Sequence, residues 1–190
     1  MKTYIVLDLE ATCYDKNSNK ETKPKGFVNE IIEIGAYKVT EQGEVIDSFE
    51  RFLKPTKFPY ISVFCNELTT ITQQDIDNAD EANFVLAEFF AWARKDSADV
   101  TYVSWGHYDK RQLRDDLKLN RFTQGIIDEL INDKNHLSLK HWYGDYKKIK
   151  PCGLGRAIEN EKFKFEGTAH RGIDDAKNIT KIFNRYREVI

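Results

Sequence analysis

Short apolar runs separated by polar breaks dominate the first part of the chain. Runs rich in β-branched and aromatic residues span about Thr3 to Leu9, Ile31 to Val39 and Val45 to Leu53, and such runs between polar segments are typical of β-strands. The second and third runs are joined by Thr40-Glu41-Gln42-Gly43-Glu44, a short polar segment with glycine that suits a hairpin. We therefore expect an early meander of three strands.

Helical spacing follows the meander. Ser62 to Asp80 is predicted to be a loop with short helical turns, and Glu81 to Lys95 carries apolar residues three and four apart, the pattern of an amphipathic helix that packs on a sheet. Val100 to Ser104 is a further strand candidate. Helices are predicted at Lys110 to Leu119 and Ile126 to Asp133, followed by short helical segments through Leu137 to Lys148 and Leu154 to Glu161, and by a final helix from about Gly172 to Arg187. This order of elements predicts an α/β fold.

Composition limits the class of protein. The 190 residues are 41% hydrophobic and 32% charged, an ordinary globular mixture that we expect to form one domain, residues 1–190. No apolar run reaches bilayer length and no signal-peptide core follows Met1, which predicts a cytoplasmic protein without membrane attachment. A net charge of -2 argues against a general basic surface for nucleic acid, so any such contact should be local.

Cysteine spacing indicates free thiols. Cys13, Cys65 and Cys152 are odd in number and far apart in the chain. Since no Cys-x-x-Cys pair or nearby histidine completes a zinc pattern, we predict neither a disulfide nor a zinc site.

Two carboxylates end the first strand. Asp8 and Glu10 are two residues apart, so their side chains should project from the same face. Without a counter-charge, repulsion would keep a proton on one of them at neutral pH, whereas a divalent cation would remove the conflict. A solvated strand end is the alternative, and the pair alone leaves both interpretations open.

Another acid follows the strand Val100 to Ser104. Asp109 ends the segment Ser104-Trp105-Gly106-His107-Tyr108-Asp109, and loops at the carboxyl ends of strands often carry ligand-binding groups in α/β proteins. Helix N-capping is its alternative role. Trp105 and Tyr108 either offer ring faces on which a base stacks, a contact worth about 1–3 kcal/mol, or belong to the core.

The segment His170-Arg171-Gly172-Ile173-Asp174-Asp175 leads into the last predicted helix. His170 and Asp175 would lie on different faces of a continuous helix, so we place His170 in the entering loop, with a bend at Gly172. A histidine beside a metal centre is suited to remove a proton from water; an exposed loop histidine is the alternative. We assign Asp174 to capping or to a supporting role.

Together these segments resemble the DEDDh group of 3'-to-5' exonucleases, in which a D-x-E pair, a later Asp and an H-x-x-x-x-D segment occur in this order. The resemblance covers essentially the whole chain. In particular, the chain is similar to the RNA exonucleases that trim small interfering RNAs and histone messenger 3' ends, and to their bacterial KapD-like relatives. The segments that carry it are Asp8 to Cys13, Glu30 to Ala36, Phe64 to Thr69, Trp105 to Asp109 and His170 to Asp175.

The resemblance implies a ribonuclease H-like fold with a central mixed five-stranded sheet flanked by helices. It implies release of nucleoside 5'-monophosphates from the 3' end of single-stranded nucleic acid, with RNA favoured over DNA. It also implies that two divalent cations, Mg²⁺ or Mn²⁺, bind Asp8, Glu10, Asp109 and Asp175, and that His170 is the general base beside the catalytic Glu10. Hard oxygen ligands independently suit these cations.

Substrate contacts also follow from the resemblance. It implies that backbone around Ala11 and Thr12 holds the terminal ribose, that Leu68 wedges beside the last base, and that Phe64 and Tyr108 flank it. Tyr108 stands where relatives often have a second Trp, which puts its stacking strength in question. Glu33 matches a strand residue with a structural or supporting role.

Two basic clusters are candidate phosphate contacts, with a solvated surface as the alternative. They are Lys110, Arg111 and Arg114, and Lys147, Lys148 and Lys150.

Relatives often carry a nucleic-acid-binding domain before the nuclease. Because this chain begins at the nuclease, we expect the core or a partner to determine which substrate is bound. A non-catalytic RNA-binding module and a metal-dependent phosphohydrolase of small nucleotides are the rival functions.

Overall fold

The computed structural model describes residues 2–15, 21–95, 97 and 99–190. Within this part of the chain, a six-stranded mixed sheet lies between helices. The strands are β1 (Thr3–Ala11), β2 (Ile31–Thr40), β3 (Val45–Lys54), β4 (Asp80–Glu81), β5 (Val100–Ser104) and β6 (His136–Ser138). The helices are α1 (Val63–Thr69), α2 (Gln73–Asp77), α3 (Ala82–Arg94), α4 (Tyr108–Leu119), α5 (Gln124–Leu130), α6 (Leu139–Lys147), α7 (Leu154–Asn160) and α8 (Gly172–Tyr186).

The sheet has the strand order β4-β3-β2-β1-β5-β6. β1, β2 and β3 form the predicted antiparallel meander, whereas β5 is parallel to β1 and β6 is parallel to β5. Because β1 and β5 run in the same direction, their carboxyl ends lie at the same edge of the sheet. The Asp8/Glu10 pair and the segment leading to Asp109 therefore arrive at one place.

Alternating side chains of β1 divide the core into two layers. Ile5, Leu7 and Leu9 pack in the cluster that includes residues of α3, α4 and α5. Val6 packs on the opposite face, in the cluster that includes residues of α6, α7 and α8. Since side chains alternate along a strand, the even-numbered Asp8 and Glu10 share the face of Val6, which α8 covers.

Short elements account for the differences from the sequence prediction. Short helical segments were predicted through Leu137 to Lys148, but His136–Ser138 forms β6 beside β5 before α6 begins. The two-residue β4 extends the predicted five-stranded sheet at its other edge. The polar segment Asp15 to Lys25, rich in Lys and Asn, is expected from its sequence to be a loop between β1 and β2. Its residues 16–20 lie outside the described residues.

Helical turns between Ser62 and Asp80 are confirmed, and side-chain caps fix their starts. The Ser62 hydroxyl accepts a hydrogen bond from the backbone N–H of Cys65 at the start of α1. Thr72 and Asp75 form a reciprocal capping box at the start of α2. Such caps satisfy N–H groups that have no partner within the helix.

Close contact between β2 and α8 depends on Gly35. A Cβ at this position would overlap the backbone nitrogen of Ile173. We predict that Gly35→Ala destabilises the protein by about 1–3 kcal/mol, because overpacking forces backbone shifts, and that thermal unfolding shows a Tm lower by roughly 2–10 °C. Gly125→Ala is the matched control, since open space surrounds this helical glycine; an equal loss of stability in both variants would contradict the packing argument.

Two further predictions can be compared with the structure. Cys13, Cys65 and Cys152 are free cysteines, as expected. Among the helices in the described ranges, none is both long and apolar enough to cross a membrane.

Candidate active site

β1 presents the first two acids beneath the start of α8. Asp8 lies opposite Gly35 in the β1–β2 ladder, and Glu10 lies opposite Glu33. Glu10 is buried, with 8% of its surface exposed. The start of α8 lies so close to β1 that a Cβ at Gly172 would be only 3.1 Å from the Asp8 carbonyl oxygen.

Asp109 enters the site from the first turn of α4. The helix begins at Tyr108 and its N-cap is His107, so Asp109 is not the capping residue that sequence reasoning left as an alternative. Only 5% of its surface is exposed, and a backbone hydrogen bond from Leu9 ties its carboxyl to β1. The parallel β1–β5 pairing thus brings Asp109 next to the Asp8/Glu10 pair.

His170 stands in the turn before α8, as predicted, but the bend differs from the expected one. The left-handed residue is His170 itself, with φ 62°, while Gly172 is the first residue of α8. The backbone N–H of His170 donates to Asp175 Oδ2 over 3.1 Å. Gly172 is therefore needed for close packing rather than for the bend.

Asp174 supports the same turn from outside the site. Its Oδ2 accepts a hydrogen bond of 2.8 Å from the backbone N–H of Thr168. This supporting position agrees with the assignment of Asp174 made from the sequence.

Three side chains converge most closely. Ligand atoms of Glu10, His170 and Asp175 all lie within 4.8 Å of one another, a spacing compatible with a metal ion. Asp8 and Asp109 stand outside this closest group, but the charge of Asp109 raises the pKa values of Asp8 and Glu10, and the charges of Asp175 and Glu10 raise that of Asp8. The four acids and the histidine predicted from sequence therefore share one site.

The electrostatics of the site disfavour four free carboxylates. Burial, and then the charges of Asp109 and Asp175, raise the pKa of Asp8 well above its ordinary value. Burial also raises the pKa of Glu10 to about 9 and that of Asp109 to about 6, and it raises the pKa of Asp175. Crowded, desolvated acids hold protons unless a cation neutralises them.

The donor set fits a hard divalent cation. Four carboxylates supply oxygen ligands of the kind preferred by Mg²⁺, Mn²⁺ or Ca²⁺, and no thiolate belongs to the group. A bound cation would also replace the protons that the raised pKa values otherwise retain.

Stability of the metal-free protein is predicted to fall between pH 5 and pH 8. The folded-state pKa values of Glu10 and Asp109 lie above their ordinary values, so the folded state binds more protons than the unfolded state in this window, and stability decreases as pH rises. We expect a loss of about 2 kcal/mol or more, measured by urea unfolding in chelator. Mn²⁺ should reverse the loss at pH 8; metal-free stability that rises over this range would contradict the account.

The residues predicted to contact the substrate lie on different elements. Ala11 ends β1, and the Thr12 backbone N–H already donates to the Glu30 carbonyl over 2.8 Å. Phe64 and Leu68 are half-buried on α1. Tyr108 is 43% exposed.

Trp105 differs from Tyr108 in exposure. It is 8% exposed, packs in the core and donates its indole N–H to the Cys152 carbonyl. Of the two aromatic residues beside Asp109, Tyr108 is thus the one available for stacking.

Several of the basic candidates are occupied by ion pairs. Lys110 pairs with Asp133, and Arg114 pairs with Asp128 at 2.7 Å. Lys147 pairs with the buried Glu161 at 3.1 Å. The exposed residues that remain from the two clusters are Arg111, Lys148 and Lys150.

Sequence reasoning missed the role of Arg171. This residue binds Glu33, whose side chain is fully buried directly behind the His170 turn. The adjacent His170 and the charged strand residue were visible in the sequence, but their pairing depends on how α8 crosses β2.

Comparison with known proteins agrees with this arrangement. The sequence profile of the exonuclease family (RNase_T) matches residues 5–183. The chain belongs to the exonuclease family. The matched region contains all four acids and His170, so the candidate active site lies wholly within the exonuclease domain.

Curated relatives are similar to this exonuclease domain at moderate identity. The 3'-5' exonuclease Snipper of Drosophila melanogaster is 27% identical over 92% of the chain and 66% of its own length. The 3'-5' exoribonuclease 1 of Mus musculus is 29% identical over 93% of the chain and 50% of its own length. The ERI1 exoribonuclease 2 of Xenopus laevis is 28% identical over 95% of the chain. The chain spans only 28% of that last relative.

Solved structures support the same fold. The nuclease domain of 3'hExo, a DEDDh family member bound to rAMP, superposes with a TM-score of 0.84 at 26% identity, over 99% of this chain and 92% of the other. A 3'-exonuclease solved in 3'-end-specific recognition of a histone mRNA stem-loop also gives 0.84, at 25% identity, over 99% of this chain and 82% of the other. The ribonuclease H-like fold expected from the resemblance is confirmed.

Proposed function

We propose that this exonuclease is a metal-dependent 3'-to-5' exoribonuclease. It removes nucleoside 5'-monophosphates from the 3' end of single-stranded RNA, and residues 1–190 act as one nuclease domain. The observation that carries the proposal is the convergence of Glu10, His170 and Asp175 within 4.8 Å, beside Asp8 and Asp109, in an exonuclease-family chain.

Asp8, Glu10, Asp109 and Asp175 are proposed to hold two divalent cations, Mg²⁺ or Mn²⁺. When bound, such ions activate water and stabilise the leaving oxygen of an in-line displacement. The four side chains come from β1, α4 and α8. Because these elements pack against one sheet edge, the acids keep fixed relative positions and remain crowded enough to need the cations.

His170 is proposed as the general base. It is exposed, so water can reach the ring, and its ring lies close to the Glu10 and Asp175 carboxylates. The imidazole can take the proton from the attacking water. Glu10 would take part in catalysis by holding a divalent cation next to the reacting phosphate.

Substrate recognition is proposed to use the 3'-terminal nucleotide. Tyr108 and Phe64 would flank the last base, Leu68 would wedge beside it, and backbone near Ala11 and Thr12 would hold the ribose. The exposed Tyr108 ring supports this arrangement, because an aromatic face stacks on any base. Exoribonuclease relatives and a stem-loop RNA complex of a structural neighbour support RNA as the substrate; the cytoplasmic location remains a prediction.

A substrate comparison tests the proposed function. The protein is incubated with Mg²⁺ or Mn²⁺ and a 5'-labelled single-stranded RNA, the matching DNA, or a small nucleotide. We expect a ladder of RNAs shortened from the 3' end, slower shortening of DNA, and no reaction in chelator. RNA that is bound but stays intact would indicate the binding module, and loss of the small nucleotide alone would indicate the phosphohydrolase.

A further inference from the structure

An ion pair between Arg171 and a fully buried carboxylate lies directly behind the His170 turn. The Glu33 side chain on β2 is 0% exposed. Its Oε1 accepts a hydrogen bond of 2.9 Å from Arg171 Nη2, and Arg171 Nε lies 3.2 Å from both carboxylate oxygens. The same carboxylate accepts the backbone N–H of Gly172 over 2.9 Å. One buried side chain therefore holds two successive residues that follow His170.

Arg171 is restrained on further sides. Its guanidinium carbon lies 5.4 Å from the centre of the Phe52 ring, and Nη2 lies 3.8 Å from Glu50. An arginine fork on a carboxylate fixes orientation as well as distance, because its N–H groups are coplanar. The side chain that follows His170 is thus held in one place and one direction.

His170 needs such restraint. Its φ of 62° lies in the left-handed region, which a residue with a Cβ adopts at an energetic cost and keeps where its surroundings impose it. The N–H of His170 is bound to Asp175 Oδ2, and the next residue is bound to Glu33. Hydrogen bonds therefore hold the turn at the His170 backbone and at the residue that follows it.

The strand register relates Glu33 to the acids of the candidate site. Glu33 lies directly opposite Glu10 in the antiparallel ladder, so both side chains leave the same face of the sheet. The anchor of the His170 turn therefore has a fixed relation to one of the proposed metal ligands.

We propose that Glu33 and Arg171 are positioning residues for the reaction. They hold the His170 imidazole in the orientation that proton removal requires, and they act through His170 without touching the substrate. This inference rests on the proposed function. Stability alone is a weak explanation for the pair, because buried ion pairs can often be replaced by apolar side chains without loss of stability.

The test uses variants that leave the metal ligands intact. Arg171→Met removes the fork, and the double variant Glu33→Gln/Arg171→Met also avoids an unpaired buried charge. With single-stranded RNA and Mn²⁺, we expect kcat to fall about 10- to 100-fold, as for a misplaced catalytic group, while KM changes less than about 3-fold. Arg171→Lys should give an intermediate kcat, since lysine keeps the charge but not the fork.

Arg51→Met is the matched control. Arg51 forms a 2.9 Å ion pair with Glu88 on the exposed surface, with half of its side chain accessible. Its loss should leave kcat unchanged, because exposed pairs contribute little. Thermal unfolding of every variant identifies any that fail to fold; if Arg171→Met does, the double variant and Arg171→Lys decide the question.

Combination with His170→Ala separates positioning from a general structural role. In single-turnover reactions, Arg171→Met should cost less than about 3-fold once His170 is absent, because interacting positions are not additive. Unchanged kcat in the double variant, or an undiminished loss in the His170→Ala background, would overturn the proposal. If the wild type leaves RNA intact, the proposed function fails, and NMR contacts of the His170 ring still show whether the pair fixes its orientation.

Discussion

Asp8→Asn should abolish metal-dependent RNA shortening while making the metal-free protein more stable. The substitution removes one proposed ligand without changing side-chain size, and we expect turnover to fall about 10³-fold or more, since a bound cation supplies several kcal/mol of transition-state stabilisation. It also removes a desolvated acid whose pKa lies well above the ordinary value. At pH 8 in chelator, the Tm should rise by about 3–6 °C, or roughly 1–2 kcal/mol.

This opposite effect on activity and stability is expected for a carboxylate that serves metal binding at the expense of the stability of the metal-free protein. Asp145→Asn is the control, because Asp145 is exposed on α6, and both its turnover and its Tm should match the wild type. Retained activity in Asp8→Asn would remove Asp8 from the site. A lowered Tm would indicate that Asp8 stabilises the fold without a cation.

His170→Ala should lower kcat by about 10²- to 10⁴-fold, the usual contribution of a general base. Because the four carboxylates remain, the Mn²⁺ affinity measured by calorimetry should change little.

The same experiment distinguishes two roles for His170. Its ring nitrogen lies within 4.8 Å of ligand atoms of Glu10 and Asp175, a spacing that also suits direct coordination. A large loss of Mn²⁺ affinity in His170→Ala would make the histidine a ligand and contradict the general-base assignment. His141→Ala serves as the control, because His141 packs against His107 and is absent from the group Glu10, His170 and Asp175.

Local sequence patterns predicted the elements that carry the site. β1, β2, β3, α3 and α8 have long apolar patterns and β5 has a distinct apolar run, so the existence of each follows from one stretch of sequence. β6 was missed because three residues preceding a helix carry too short a pattern. Its strand conformation depends on pairing with β5, and β4 likewise depends on β3.

For the candidate site, as for the fold, local features were predictable from the sequence. The two-residue spacing of Asp8 and Glu10 predicted their shared face, and the His170 loop position followed from helical geometry. Residue contacts between elements were not predictable in this way. The Glu33–Arg171 pair joins positions 138 residues apart, and the burial of Trp105 depends on packing against the segment that contains Cys152.

Oxygen-isotope labelling tests the central claim most directly. Single-stranded RNA is digested by the protein with Mn²⁺ in H₂¹⁸O, and the small products are identified by mass spectrometry. If water attacks the terminal phosphorus and the 3' oxygen leaves, as proposed, each turnover releases a nucleoside 5'-monophosphate with one ¹⁸O on its phosphate. Nucleoside 3'-phosphates, or RNA that remains at full length, would contradict the account.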